Sequence, residues 1–389
     1  MARIFYTESD IDAFHGRGQS TVEVGEQVVL TAAARERAAK LGIRLTSPGA
    51  APPPGGGSPS SPPPRPEAGG GKARSGPVPF KDSASAQGKT RGNRQVRVAV
   101  LGAGHGGLAT AGHIALRGQD VSLFSFFKRE LDAVRERGGV ELDGDVEGTA
   151  KLGLVTGDLD EAVAGRDLVI VLMPALAQKN VASLLCGCLK DGQTVLLSPG
   201  RTGGALEVYQ TFRRYQCQKR VVLAECQTML YATESRGPAH VEVMKAKNRV
   251  RAAALPATDN HAFFDVMGSV YPEYVPATNV LETSINNTGA VVHPAPMLMN
   301  SGLLERAAAG EDIRYYRDVI TKFVCDNVMT KIDREKSAIA EALGVPVLDI
   351  LAWYRECYGV EGGTLYETLQ QNEYYIGFSA PKHVLGYHH

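Results

Sequence analysis

The chain has 389 residues, with Lys+Arg and Asp+Glu balanced at 42 each, 43% hydrophobic residues and 22% charged residues. That length allows two or three domains, and the composition is that of a soluble globular protein. A net charge near zero removes the electrostatic argument for nucleic acid or an anionic membrane as partner, and no apolar run approaches the ~20 residues of a membrane span.

The first stretch carries Glu8, Asp10 and Asp12 and no apolar signal core, and the six cysteines lack zinc-ligand spacing. A cytoplasmic chain with reduced thiols and no metal site is therefore expected. Residues 1–46 read as a small module. Ile4-Phe-Tyr6 and Glu26-Gln-Val-Val-Leu30 have strand composition, and Thr31 caps a helix over 32–41 that Gly42 stops. Ile43-Arg-Leu45 is one more short strand. Residues 47–94 are rich in Pro, Gly and Ser and predict a disordered tether, since they cannot bury enough apolar surface to offset their chain entropy.

From residue 95 the pattern turns α/β. Val96-Arg-Val-Ala-Val-Leu101 predicts a strand and Leu108 to Leu116 a helix, with Gly102-Ala103-Gly104-His105-Gly106-Gly107 between them and a second strand at Asp120–Phe124. In that context G-x-G-x-x-G is the dinucleotide-binding fingerprint. Gly102 makes the tight turn, Gly104 lets backbone approach a pyrophosphate, and Gly107 allows close helix–strand packing. The helix N-terminus offers free N–H groups to the phosphates. At the end of the second strand, where an NAD site carries Asp or Glu, stand Ser125, Phe126, Phe127, Lys128 and Arg129. A hydroxyl and two cations suit a 2′-phosphate, which tips the expectation to NADP(H) over NAD(H). Alternatively, Lys128 and Arg129 merely open the next helix in solvent.

Arg166–Leu172 and Gln193–Leu197 are apolar strands of the kind buried in parallel sheets. Met173-Pro174 and Ser198-Pro-Gly200 follow them, where strand ends face a bound cofactor. Arg220–Ala224 and Arg249–Leu255 continue the sheet. After about residue 279 the pattern becomes helical. Asn286, Asn287 and His293 are polar among apolar residues, and Asn286 and His293 are two turns apart on a continuous helix. His293 could exchange protons and the asparagines could orient a carboxylate or the nicotinamide carboxamide; a structural histidine before Pro294 is the other reading. Ile320, Phe323, Val324, Val328, Ile332, Ile339 and Leu343 predict one long amphipathic helix ended by Gly344, and Val347–Tyr358 another. The fold class expected is a doubly wound, mostly parallel Rossmann domain over 95–278, then an all-α domain over 279–389.

Several ordered blocks over about 95–387 resemble the NAD/NADP octopine–nopaline (opine) dehydrogenase family. They are the glycine block, Arg135-Glu-Arg-Gly-Gly-Val140, Glu225-Cys-Gln-Thr228 with Tyr231, Ala252–Pro256, Asn286-Asn through Leu298, and Asp333-Arg-Glu335 with Ala340 and Gly344. The resemblance implies NAD(P)H-dependent reductive condensation of an α-keto acid, such as pyruvate, with an amino group. It implies His293 as proton donor and acceptor and puts Glu225 at the cofactor. Family members carry Arg-Tyr-x-x-Glu-Asp near the C-terminus, whose aspartate polarises the histidine. Here Gly386 replaces that arginine, Tyr387 matches the tyrosine, and His389 is the last residue given. Three expectations stand: a truncated chain, another carboxylate in that role, or His293 acting alone. The N-terminal Thr31–Ile43 stretch resembles short modules of bacterial microcompartment proteins, which implies a shell or scaffold partner through residues 1–46. A homodimer fits the same picture. The competing readings are a keto-acid or 3-hydroxy-acid dehydrogenase without an amine partner, and a non-catalytic nucleotide-binding scaffold.

Overall fold

The computed structural model describes residues 4–6, 8–24, 28–30, 32–46 and 95–382. The tether expected over 47–94, the Thr31 cap and the tail from 383 lie outside these residues. The chain divides into two compact units, Met1–Gly92 and Asn93–His389.

The first unit contains β1 (Ile4–Tyr6), α1 (Glu8–Gly16), β2 (Thr21–Glu23), β3 (Val28–Leu30), α2 (Ala32–Lys40) and β4 (Arg44–Thr46). One strand–helix–strand pattern occurs twice, with β1 parallel to β3 and β2 parallel to β4. Ile11, Val22, Leu30, Ala34, Ala38 and Ile43 form its small core. Gly42 adopts φ +67°, and Ile43 N–H donates to the Ala38 carbonyl at 2.8 Å, closing α2 as its sequence implies. Helix α1 is hard to read in sequence, because Ile11 and Phe14 are its only large apolar residues.

The second unit opens with β5 (Arg97–Leu101), α3 (His105–Leu116), β6 (Asp120–Phe124) and α4 (Lys128–Arg137). Next come β7 (Val140–Gly144), β8 (Gly148–Ala150), β9 (Leu154–Thr156), α5 (Leu159–Val163) and β10 (Leu168–Val171). Then α6 (Ala175–Cys188), β11 (Thr194–Leu197), α7 (Gly204–Arg214) and β12 (Val222–Cys226) complete the parallel part. They are followed by β13 (Tyr231–Gly237), β14 (His240–Ala246), β15 (Val250–Leu255), α8 (Asn260–Met267) and β16 (Tyr274–Pro276). Eight strands form one sheet in the order β9-β6-β5-β10-β11-β12-β15-β16. Its first six strands are parallel; β15 runs antiparallel to β12, and β16 follows β15. This is the Rossmann domain expected. Its central strands β10 and β11 are buried at every position, as two-sided coverage requires.

A second sheet, β13-β14-β7-β8, was not part of the expectation. Helix α3 touches strands of both sheets. Consequently it buries residues on nearly every side, from Gly106 to Gly112 and at Ile114. Small residues make this possible: a Cβ on Gly112 would come 2.9 Å from Leu142 Cδ1.

The helical part contains α9 (Val280–Ile285), α10 (Gly289–Val292), α11 (Pro294–Met299), α12 (Ser301–Ala308), α13 (Lys322–Val324), α14 (Thr330–Leu343) and α15 (Ile350–Tyr358). Short α16 (Leu365–Gln371) and α17 (Glu373–Ile376) follow. The long helix expected from Ile320 differs in detail. It starts at Lys322, where the Thr321 side chain caps it, and passes through a π-helical segment at Cys325–Met329. Extra residues in that segment rotate the apolar stripe, so Phe323, Ile339 and Leu343 are exposed while Val324 and Ala340 face the core. An Arg251 clamp ties sheet to helices. Its guanidinium donates to both Glu356 carboxylate oxygens at 2.7 and 2.8 Å and to Glu282 at 3.0 Å.

Candidate active site

The glycine loop has the geometry its sequence requires. Gly102 adopts φ +122°, and a Cβ there would stand 2.4 Å from the Leu172 carbonyl oxygen. A Cβ on Gly107 would fall 1.8 Å from the Gly102 carbonyl oxygen, so only glycine lets α3 lie this close to β5. Gly104 has nothing within 4 Å of its Cβ position and is exposed, as is His105. Open space therefore lies in front of the first N–H groups of a twelve-residue helix, which suits a pyrophosphate. Buried Ala103 packs beneath the loop, Met173 Cγ reaches within 3.6 Å of the Gly102 Cβ position, and Pro174 begins α6. Gly106 is covered by Met229, whose Sδ lies 2.4 Å from its Cβ position.

At the adenine-ribose end the picture differs from the expectation. Ser125 is buried, donates to Glu130 Oε2 at 2.5 Å and accepts from Phe127 N–H at 3.1 Å. Its hydroxyl therefore also braces the turn into α4. Lys128 pairs with Asp132 one helical turn on, and both Lys128 and Arg129 are exposed.

A cavity of about 560 Å³ lies between the Rossmann and helical parts of this unit. His105 and Pro174 line it from the glycine-loop side, and Asn287, Gly289 and His293 from the helical side. Around Gly289 three groups converge. Its Cβ position would be 3.1 Å from Arg201 Nη1, 3.1 Å from Asn287 Oδ1 and 3.4 Å from His293 Cδ2. His293 sits at the joint of α10 and α11; its carbonyl accepts from the Tyr315 hydroxyl at 3.1 Å, and the two rings are 5.7 Å apart. Arg201 comes from the loop after β11 and has φ +60°, a strained conformation for a residue with a Cβ. That loop is held from several sides. Asn287 Nδ2 donates to Thr202 Oγ1 at 3.2 Å, and Gly203 N–H donates to Ser284 Oγ at 2.9 Å.

Two expected site residues stand elsewhere. Asn286 is not on a common helix face with His293, because α9 ends at Ile285 and the chain turns before α10. Its Oδ1 instead accepts from Leu348 N–H at 2.8 Å, away from the cavity lining. Glu225 is fully buried and does not line the cavity. Burial pushes its carboxyl above the usual range while three donors pull it back: Ala205 N–H at 2.7 Å, Thr283 at 2.6 Å and Ser284 at 2.8 Å. It welds the start of α7 to α9, and so fixes the loop that carries Arg201.

The cavity also holds residues that sequence reading passed over. Lys247 is 2% exposed, and burial pushes its ammonium down to about 8. Arg201, Trp353, Tyr316, Tyr354 and Tyr375 line the same space. The only hint in sequence was the Ser198-Pro-Gly200 turn next to Arg201. A separate trio, Glu141, Asp143 and His240, gathers on β7 and β14. There Arg137 already pairs with Glu141, and none of the three lines the cavity.

Residues 276–387 match the alpha-helical domain of the NAD/NADP octopine/nopaline dehydrogenases, and residues 97–210 match the N-terminus of NAD-dependent glycerol-3-phosphate dehydrogenase. An opine dehydrogenase from Arthrobacter sp. (strain 1C) is 36% identical over 284 residues, covering 73% of this chain and 78% of its own. The chain belongs to the opine dehydrogenase family. It is an NAD(P)-dependent oxidoreductase with a Rossmann domain followed by a helical domain. The fold agrees with octopine dehydrogenase in complex with NADH and agmatine, at TM-score 0.58 and 22% identity over 74% of this chain and 76% of that one. It also agrees with yersinopine dehydrogenase bound to NADP+, at TM-score 0.53 and 15% identity over 67% and 66% of the two chains. The first of these structures holds NADH and the second NADP+.

Proposed function

We propose that this opine dehydrogenase condenses an α-keto acid with the amino group of an amino acid and reduces the product at the cavity around Gly289. The observation that carries this is the meeting of Arg201, Asn287 and His293 in a cavity whose other wall is the nucleotide loop. When bound, the nicotinamide supplies the hydride. Arg201 holds the keto-acid carboxylate through charge-assisted hydrogen bonds. His293 takes a proton from the amine as it adds to the keto carbon and returns one to the oxygen that leaves as water. One proton from solvent is consumed per turnover. Asn287, with Nδ2 on Thr202, turns Oδ1 toward this group and orients the amine. The test follows NAD(P)H oxidation with pyruvate, with and without a panel of L-amino acids. Amine-dependent oxidation is expected; equal rates without amine would make the protein a keto-acid reductase.

We further propose a preference for NADP(H). Arg129 and Lys128 start α4 beside Ser125, and the exposed Lys128–Asp132 pair is of the kind worth ~0–1 kcal/mol, so it yields readily to a phosphate. Replacing both cations with Ala should weaken NADPH by about tenfold or more and NADH by less than about twofold. Equal losses in fluorescence titrations would return specificity to Glu130, which already bonds Ser125.

We also propose that the first unit is a docking module for a microcompartment shell or scaffold. Its own core and the Pro/Gly/Ser-rich stretch after it support this. Limited proteolysis should cut within 47–94 and leave a fragment from about 95 that keeps cofactor affinity. Loss of that affinity on cleavage would mean that the first unit is instead part of the enzyme.

A further inference from the structure

Among the described residues Arg201 and Lys247 face one cavity, and only Arg201 has a task in the scheme above. Lys247 directly follows β14, is buried, and lines the cavity with Arg201 and His293. Its Nζ donates to the Met229 carbonyl at 2.7 Å and stands 5.4 Å from the centroid of the Tyr358 ring. Among the described residues, Arg201, Cys226 and Cys357 act on it; the one carboxylate in the cavity lining, Glu234, acts on His105 instead. A buried ammonium without a counter-charge is strongly disfavoured unless a ligand supplies one.

Trp353 is an independent pointer to the same ligand. It is 4% exposed and lines the cavity, and its indole N–H has no hydrogen-bond partner among the described residues. Its ring lies 5.9 Å from that of Tyr358, the ring beneath Lys247. A cation without a counter-charge and an unanswered N–H donor thus flank one tyrosine, and buried donors are normally answered.

We propose that Lys247 and Trp353 bind the α-carboxylate of the amino-acid substrate, while Arg201 holds that of the keto acid. This rests on the condensation reading. A product made from a keto acid and an amino acid carries two carboxylates, and the cavity carries two cations to match. Arg201 takes the keto acid because it shares the Gly289 cluster with His293, where the reacting carbon must lie. Lys247 then selects amino acids over amines that lack the carboxylate, and Tyr316, Tyr354 and Tyr375 flank the side chain.

Trp353 is the sole tryptophan of the chain, so its fluorescence reports binding without turnover. The full-length protein loaded with NADP+ would be titrated with L-arginine and agmatine, with L-phenylalanine and 2-phenylethylamine, and with pyruvate. Wild type should bind each amino acid about tenfold or more tightly than its amine. Lys247→Met should lose that preference, keep amine and pyruvate affinity within about twofold, and melt no lower than wild type, since a buried charge is removed. Lys247→Arg should keep the preference. In turnover, Lys247→Met should raise KM for the amino acid and leave KM for pyruvate unchanged. The proposal is overturned if the preference survives in Lys247→Met, or if pyruvate binding falls while amino-acid binding stays. Amine-independent pyruvate reduction by wild type would instead sink the condensation reading, and the inference with it, a result visible without any variant.

Discussion

Replacing His293 with Gln is expected to lower kcat by ~10²–10⁴ while NAD(P)H affinity stays within about twofold. Gln retains polarity and approximate size but cannot cycle a proton at neutral pH. The imidazole lies in the cavity wall opposite the nucleotide loop, and the joint that carries it is held by backbone: Tyr315 donates to the carbonyls of Val292 and His293 at 2.9 and 3.1 Å. Because those bonds do not involve the ring, the substitution should leave the joint in place. The measurement pairs steady-state oxidation of NAD(P)H with a fluorescence titration of the same variant. Turnover near that of wild type would take His293 out of the chemistry. A large loss of cofactor affinity would instead give it a binding role.

The second large effect concerns the clamp between sheet and helices. Arg251→Met should destabilise the protein by about 3–5 kcal/mol, because the Glu282 side chain, only 1% exposed, loses its counter-charge. Glu282 also accepts from Thr278 N–H and Oγ1 at 2.7 and 2.8 Å, so it cannot swing out to water without breaking those bonds. Glu356 is more exposed and adapts more easily. At about 2–4 °C per kcal/mol for a domain of this size, the melting temperature should fall by roughly 6–20 °C. Removing both partners, as Arg251→Met with Glu282→Leu, should recover much of the loss, since no buried charge then remains. An unchanged melting point in the single variant would show that the triad contributes nothing net.

How much of this was legible in the sequence depended on whether a residue acts locally. Gly102, Gly104 and Gly107 are readable because each meets a demand of its own turn, and the structure repeats those demands as close approaches and an open front. Asn286 and Asn287 are adjacent and alike in chemistry, yet one faces the cavity and the other faces Leu348. A helix break of three residues decides between them, and periodicity cannot see it. Glu225 was placed at the cofactor by the family resemblance alone; in the fold three protein donors absorb its carboxylate. Lys247 and Trp353 are 106 positions apart and meet only through tertiary packing, so neither announces itself. The second sheet is hard to read in sequence because β7, β13 and β14 mix charged and apolar residues and β8 is only Gly-Thr-Ala, while α3 packs against all four strands.

The enclosure of α3 between the two sheets has a consequence for how the nucleotide is received. A helix walled on both sides has little freedom to tilt or slide, so the amides of its first turn are preorganised and phosphate binding forfeits little chain entropy. Any closing motion that expels water around the substrates must then fall to the helical half. The wall that carries His293 is then where adjustment to the substrates is expected.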